Sequence, residues 1–231
     1  MKFSTLALYG VLGSLACPAA FAENTLLIDD FTTGAFHSAA YNTGGNRTFN
    51  QNGSTSHILG GNRNEVLYVC STSGITPCKT ANPYGQYTSV AVGSDPAVSP
   101  KVHALVFGSG FQQGDRLELY YGEGTPMSAD LSPYSVIRVN FQGLSGPLNF
   151  NLEAWTGSTY AVNACNLGAN MNPFSVEFPI SGFSQGSTPV TWSDINTLLF
   201  IYQLDGVSFG ISSIEASDTS DPNAVQCNDG T

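Results

Sequence analysis

Leu148-Asn149-Phe150-Asn151-Leu152-Glu153-Ala154-Trp155 places an apolar residue at every even position and a polar one at each odd position up to Trp155. A strict period of two puts one face of a strand on a core and the other in water. Val136-Ile137-Arg138-Val139-Asn140-Phe141-Gln142 repeats the pattern, as does Phe174-Ser175-Val176-Glu177-Phe178. Outward from these, the chain offers short runs of β-branched, aromatic and aliphatic residues separated by Gly, Pro, Asn and Ser clusters, with almost no helical periodicity. Strands are predicted near 25–31, 65–70, 86–92, 101–107, 116–121, 135–142, 148–156, 174–180, 197–204 and 207–216. Strands at this density predict an all-β chain folded as an antiparallel β-sandwich or jelly roll. Thr197-Leu198-Leu199-Phe200-Ile201-Tyr202 is apolar on both faces and reads as a central strand whose second face is covered. Asp205-Gly206 after it is a hairpin signal. The Gly/Asn/Ser/Thr-rich stretch Gly44–Gly61 reads as a long loop, and the acidic segment after Ser217 as a tail that is mobile apart from Cys227.

The N-terminus predicts export. Lys2 precedes an apolar run from Phe3 to Leu15, and Ala20-Phe21-Ala22 supplies the small-x-small pattern of a signal peptidase site. Residues 1–22 are therefore read as a signal peptide, 23–217 as one β-sandwich domain and 218–231 as an acidic tail. The localisation expected is secreted, extracellular or periplasmic. The run is too short for a membrane span, and Ser14 and Pro18 around Cys17 fit a lipidation site poorly. Loss of Lys2 leaves six basic residues against seventeen acidic ones, a formal charge of −11. The basic residues are scattered singly, which excludes nucleic acid as a partner. Nothing in the sequence fixes an oligomeric state.

Of the five cysteines, Cys70, Cys78, Cys165 and Cys227 lie beyond residue 22. An even count in an exported chain indicates two disulfides with three possible pairings. Cys70 with Cys78 is the local choice across a Ser/Thr/Gly/Pro stretch, and Cys165 with Cys227 would then tie the tail to the body. Zinc is disfavoured, because no Cys-x-x-Cys occurs and no histidine lies near.

Four segments in order, Leu27-Ile28-Asp29-Asp30-Phe31, Asp130-Leu131-Ser132-Pro133-Tyr134, Trp192-Ser193-Asp194-Ile195-Asn196 and Phe209-Gly210-Ile211-Ser212-Ser213-Ile214, resemble galactose-binding-type jelly rolls, including carbohydrate-binding modules of secreted glycosidases. Ile58-Leu59-Gly60-Gly61-Asn62-Arg63 is similar to a step found in uncharacterised exported bacterial proteins. Many of those end in a C-terminal sorting signal, whereas this chain ends in Asn228-Asp229-Gly230-Thr231. The resemblance implies a jelly roll and a glycan as partner. It implies little more, because this fold hosts many roles.

The outward faces of four predicted strands carry the candidate site: Arg116, Glu118 and Tyr120; Arg138, Asn140 and Gln142; Asn149, Asn151, Glu153 and Trp155; Ser175 and Glu177. Were these strands neighbours, Trp155, Asn149, Asn151, Glu153, Arg138, Asn140 and Tyr120 would form one ligand-binding surface. Aromatic rings stack on sugar C–H faces, and planar polar groups bind hydroxyls. The competing reading is a solvated sheet face with cross-strand pairs such as Arg138 with Glu153, and Glu177 with Arg116. Asp29 and Asp30 on an acidic first strand, beside Glu215 or Asp218, make structural calcium the one cofactor to consider. No Asp-x-Asp-x-Asp-Gly loop is present. Catalysis finds no motif: there is no Gly-x-Ser-x-Gly, no His-Glu-x-x-His, and His37, His57 and His103 are isolated. Glu118, Glu153 and Glu177 are the carboxylates that could serve a glycosidase or lyase if they met on one face. The sequence thus points to a non-catalytic secreted β-sandwich that binds carbohydrate. A cell-surface or matrix structural protein is the alternative, and a polysaccharide-degrading enzyme stands behind both.

Overall fold

In a computed structural model that describes residues 23–40, 45–69, 88–92, 104–108, 114–186 and 188–227, the chain is a two-sheet β-sandwich with jelly-roll crossings. Its strands are β1 (Thr25–Asp29), β2 (Phe36–Ala40), β3 (Gly45–Asn52), β4 (Asn62–Val69), β5 (Thr88–Val92), β6 (Leu105–Gly108), β7 (Gly114–Tyr121), β8 (Val136–Leu144), β9 (Leu148–Thr156), β10 (Thr159–Leu167), β11 (Phe174–Pro179), β12 (Ser184–Gln185), β13 (Thr197–Asp205), β14 (Ser208–Ser217) and β15 (Val225–Gln226). Among the described residues the first sheet runs β15-β11-β8-β14-β6-β5-β2, with β1 also on β14, and the second runs β12-β10-β9-β13-β7-β4-β3. Pairing is antiparallel except between β11 and β15. No described helix is long and apolar enough to cross a membrane.

The alternating segments fold as their pattern requires. Leu148, Phe150, Leu152 and Ala154 of β9 point inward and are buried, as do Val139 and Phe141 of β8 and Val176 and Phe178 of β11. Phe150 is the hub between the sheets. It contacts Phe141 and Phe178 of the first sheet edge-on at 6.0 and 4.9 Å, and stacks on Tyr202 of the second at 4.4 Å. β13 lies between β7 and β9 as a central strand. Leu198, Phe200 and Tyr202 are wholly buried, and even the outward Leu199 and Ile201 are only 7% and 8% exposed.

Four expectations are revised. Residues 45–52 of the expected loop form β3, which pairs with β4 along its whole length; its polar residues suit a sheet edge, where Thr48, Asn50 and Asn52 face solvent. β2 and β10 were not foreseen; the inward positions of β10 include Ala161 and Asn163, which give no strand signal. Asp205-Gly206 does turn the chain, with Gly206 at φ 67°, but it joins strands of different sheets and closes no hairpin. Both flanks of β13 and β14 are already occupied by other strands. Residues 218–227 pack back on the first sheet, and β15 pairs with β11. The Cys165–Cys227 disulfide, with Cα atoms 4.9 Å apart, joins this returning segment to β10 of the second sheet. Cys70 and Cys78 lie outside the described residues.

Candidate functional site

The seven residues expected on one surface divide between two. β8 and β9 are consecutive in sequence but belong to different sheets, so their outward faces look in opposite directions. Arg138 and Asn140 lie outside the first sheet. Tyr120, Asn149, Asn151, Glu153 and Trp155 lie outside the second. The carboxylates divide too, with Glu118 and Glu153 on the second sheet and Glu177 on the first.

Around Arg138 the first sheet's outer face is engaged in its own bonds. Glu177 and Glu215 flank Arg138 in register. Arg138 donates from Nε to Glu177 at 2.8 Å, from Nη1 to Glu23 and Glu215 at 2.9 and 3.0 Å, and from Nη2 to the Thr219 carbonyl at 3.0 Å. The expected pairs of Arg138 with Glu153 and Arg116 with Glu177 are therefore replaced by pairing within each sheet. Glu177 further accepts from the Asp221 amide at 2.9 Å, from Ser220 Oγ and from Gln226 Nε2 at 2.9 Å. Burial pushes its carboxyl up, but these donors outweigh burial and hold it below its ordinary value. One row along, Ser175 donates to Asn140 at 2.7 Å and Asn140 to Ser213 at 2.9 Å. The returning segment and these rows engage most of the hydrogen-bonding groups of Arg138, and Asn140 bonds on both sides within its row.

The four carboxylates considered for calcium are engaged separately, Asp218 by the Asn24 amide at 3.1 Å. Asp29 is wholly buried between the sheets. It pairs with Arg63, accepts from Tyr121 Oη at 2.8 Å and from the Phe31 amide at 2.7 Å. Arg63 is itself wholly buried, donates to Glu65 at 2.9 Å and lies 5.2 Å over the Phe31 ring, whose φ is 57°. Asp30 accepts from Thr32 Oγ1 at 2.5 Å and contacts His57 Nδ1 at 2.6 Å. Burial raises its carboxyl, but the bonds from Thr32 and His57 leave it lowered. Glu215 is held by Arg138. Among the described residues no group of three or more His, Cys, Asp or Glu is placed to hold a metal ion.

The second sheet's outer face has a different character. Trp155 and Glu153 are two apart on β9, and the indole Nε1 donates to Glu153 Oε2 at 3.0 Å. Across the β9–β10 turn, Tyr160 opposes Trp155 in register and stacks on it at 4.7 Å with an interplanar angle of 24°. On the other flank the residue in register is Thr197 of β13, a small side chain. Tyr160 is 47% exposed, and Asn149, Asn166 and Gln203 carry exposed amides on the same face. Burial raises the Glu153 carboxyl, and the Glu118 charge adds to that shift. Two strands away, roughly 10 Å in the sheet, Glu118 is ion-paired with Arg116 and accepts from Tyr120 Oη at 2.7 Å. Arg116 in turn lies 4.5 Å over the Tyr68 ring. Burial, reinforced by the Glu118 carboxylate, pushes the Tyr120 hydroxyl well above its ordinary range.

Sequence reasoning missed Tyr160, Thr197 and Gln203. The turn Thr156-Gly157-Ser158 held the signal for Tyr160. A tight turn after Trp155 fixes the register that sets Tyr160 opposite it.

No protein-family model matches the chain, and no curated protein matches it. Solved structures similar to it include a family 11 carbohydrate-binding module from Clostridium thermocellum in complex with a β-1,3-1,4-mixed-linked tetrasaccharide. Identity is 13%, 89% of this chain and 98% of that one are covered, and the TM-score is 0.43. Another is a family 29 carbohydrate-binding module from Piromyces equi, at 8% identity, 70% and 95% coverage and a TM-score of 0.33. TmCBM61, solved with β-1,4-galactotriose, is similar at 14% identity, 55% and 80% coverage and a TM-score of 0.32. Similarity at these values carries no argument about what this chain does.

Proposed function

We propose that this chain is a secreted, non-catalytic module that binds a glycan on the outer face of its second sheet, with Trp155 as the stacking ring. The observation that carries the reading is the setting of Trp155. The ring is clamped by Tyr160 on one face, anchored through its N–H by Glu153, and flanked on the other by Thr197. A rigid aromatic beside exposed Asn149, Gln203 and the half-buried Asn151 combines stacking with hydroxyl recognition at low entropic cost. The non-catalytic part rests on Glu118, which is 1% exposed and consumed by Arg116 and Tyr120, so among the described residues the face offers Glu153 without a second free carboxylate beside it.

Affinity electrophoresis through gels containing soluble polysaccharides, together with a glycan array, tests the reading. The expected result is retardation of the wild type on at least one polysaccharide, weakened roughly 30-fold or more in Trp155→Ala, as befits a central aromatic anchor. Absence of wild-type retention on every polysaccharide, or full retention of Trp155→Ala, refutes it.

A further inference from the structure

Indole rings on a strand have rotameric freedom, and a ring that must be ordered when ligand arrives costs affinity. On this face the ring is ordered beforehand by a polar partner. Glu153 and Trp155 project from the same side of β9, and the 3.0 Å bond from indole Nε1 to the carboxylate fixes the ring's second torsion while Tyr160 fixes its face. Indole N–H is a donor only, and an ionised carboxylate an acceptor only, so the pair is matched in its charged form.

We propose that Glu153 is a positioning residue for the stacking ring, holding Trp155 in the plane that a saccharide meets and coupling ligand binding to its own protonation. The inference rests on the glycan-binding reading above but assigns Glu153 a task that the reading does not need.

The surroundings of Glu153 bear on the coupling. Leu199 of β13 and Val162 of β10 lie opposite it in register and carry no charge. Tyr160 of β10 faces it from beside Trp155. From β7, the Glu118 carboxylate disfavours its ionisation and the Arg116 guanidinium favours it. Burial is the larger influence, and it moves the titration upward, toward neutral pH. Acidification therefore takes one lone pair from the anchor and loosens the ring before ordinary surface carboxylates titrate.

The first measurement needs no ligand. The chain has two tryptophans, and Trp192 packs edge-on against Phe183 away from this face. Near-UV circular dichroism of Trp192→Phe, or a difference spectrum of wild type against Trp155→Phe, isolates the Trp155 band. Between about pH 4 and 8, that band is expected to change in one step with Glu153 intact and to stay flat in Glu153→Gln, whose amide oxygen still accepts the N–H. Glu153→Ala is expected to lose the band's intensity.

The second measurement is affinity for whichever polysaccharide retards the wild type. Glu153→Ala is expected to bind roughly three- to tenfold more weakly at neutral pH. Glu153→Gln should bind as the protonated wild type does, between wild type and Glu153→Ala at neutral pH, and lose the pH dependence. A Glu153→Ala protein with wild-type band and wild-type affinity overturns the proposal. If the wild type binds no polysaccharide, the glycan reading falls, and the spectroscopic arm still decides the role of Glu153.

Discussion

Glutamine in place of Glu65 removes one proton-binding group from the buried cluster that joins β1 to β4. In that cluster a single guanidinium, Arg63, serves two carboxylates, Asp29 and Glu65, and all three side chains are wholly buried. Burial pushes Glu65 up to about 7 from an ordinary 4.5, with Arg63 opposing the shift. The sign follows from proton linkage. Below about pH 4.5 folded and unfolded chains both hold this proton, and its stabilising effect is complete. Between about 4.5 and 7 only the unfolded chain releases it, so stability falls as pH rises, and the loss is finished once the folded form ionises as well. Two and a half pH units correspond to about 3 kcal/mol. In a domain of this size that is a shift in melting temperature of roughly 6–12 °C. Glu65→Gln keeps an oxygen for Arg63 Nε and does not titrate. Melting curves of both proteins from acid to mildly alkaline pH should therefore diverge, with the variant the more stable above neutrality by about that amount. Taking the difference between the two curves cancels the acid-sensitive groups Asp30 and Glu177, whose carboxyls are lowered and whose contribution is lost as pH falls. Curves that run parallel through pH 5 to 8 would refute the argument that this carboxyl carries its burial cost.

Three further outcomes are expected. Arg138→Ala takes the counter-charge from wholly buried Glu177 and leaves it the bonds from Asp221, Ser220 and Gln226, so the cost in chemical denaturation should fall at the lower end of about 3–5 kcal/mol; replacing Arg138 and Glu177 together by apolar residues should recover part of that loss. Cys165→Ser with Cys227→Ser opens a link across 62 residues, worth about 4 kcal/mol in the chain-entropy picture, and should make 218–227 the first site cut in limited proteolysis. Phe150→Ala empties the centre of the aromatic cluster between the sheets and should lower stability by about 3–5 kcal/mol without altering the far-UV spectrum at low temperature.

Local pattern carried the fold a long way. The alternation over 148–156 marked β9 with its observed limits, and the doubly apolar Thr197–Tyr202 marked a strand with neighbours on both sides. What stayed hidden depends on contacts distant in sequence. β3 is polar enough to read as loop, and its ladder with β4 makes it a strand. Whether an outward residue belongs to one face or the other is set by which sheet its strand joins, and alternation is blind to that. Arg138 and Trp155 therefore looked like neighbours and stand on opposite sides. Asp29 stood as a calcium candidate because its partners, Arg63 and Tyr121, are 34 and 92 residues away and leave no local trace. Trp155 itself was legible, since it stood on the polar side of its strand.

The pairing of β1 with β14 sets a limit on folding kinetics. Thr25 lies opposite Ser217, and just beyond them Asn24 bonds to the Asp218 carboxylate across a separation of 194 residues. Apart from the bridge of Asp29 to Ile58, the first strand thus has no backbone partner among the described residues until nearly all of the chain exists. Contacts this distant give a high contact order, and sandwiches of that kind fold in milliseconds to seconds rather than microseconds. A chain threaded through a narrow pore with its N-terminus leading would emerge unable to complete its first sheet until residues 208–217 had followed.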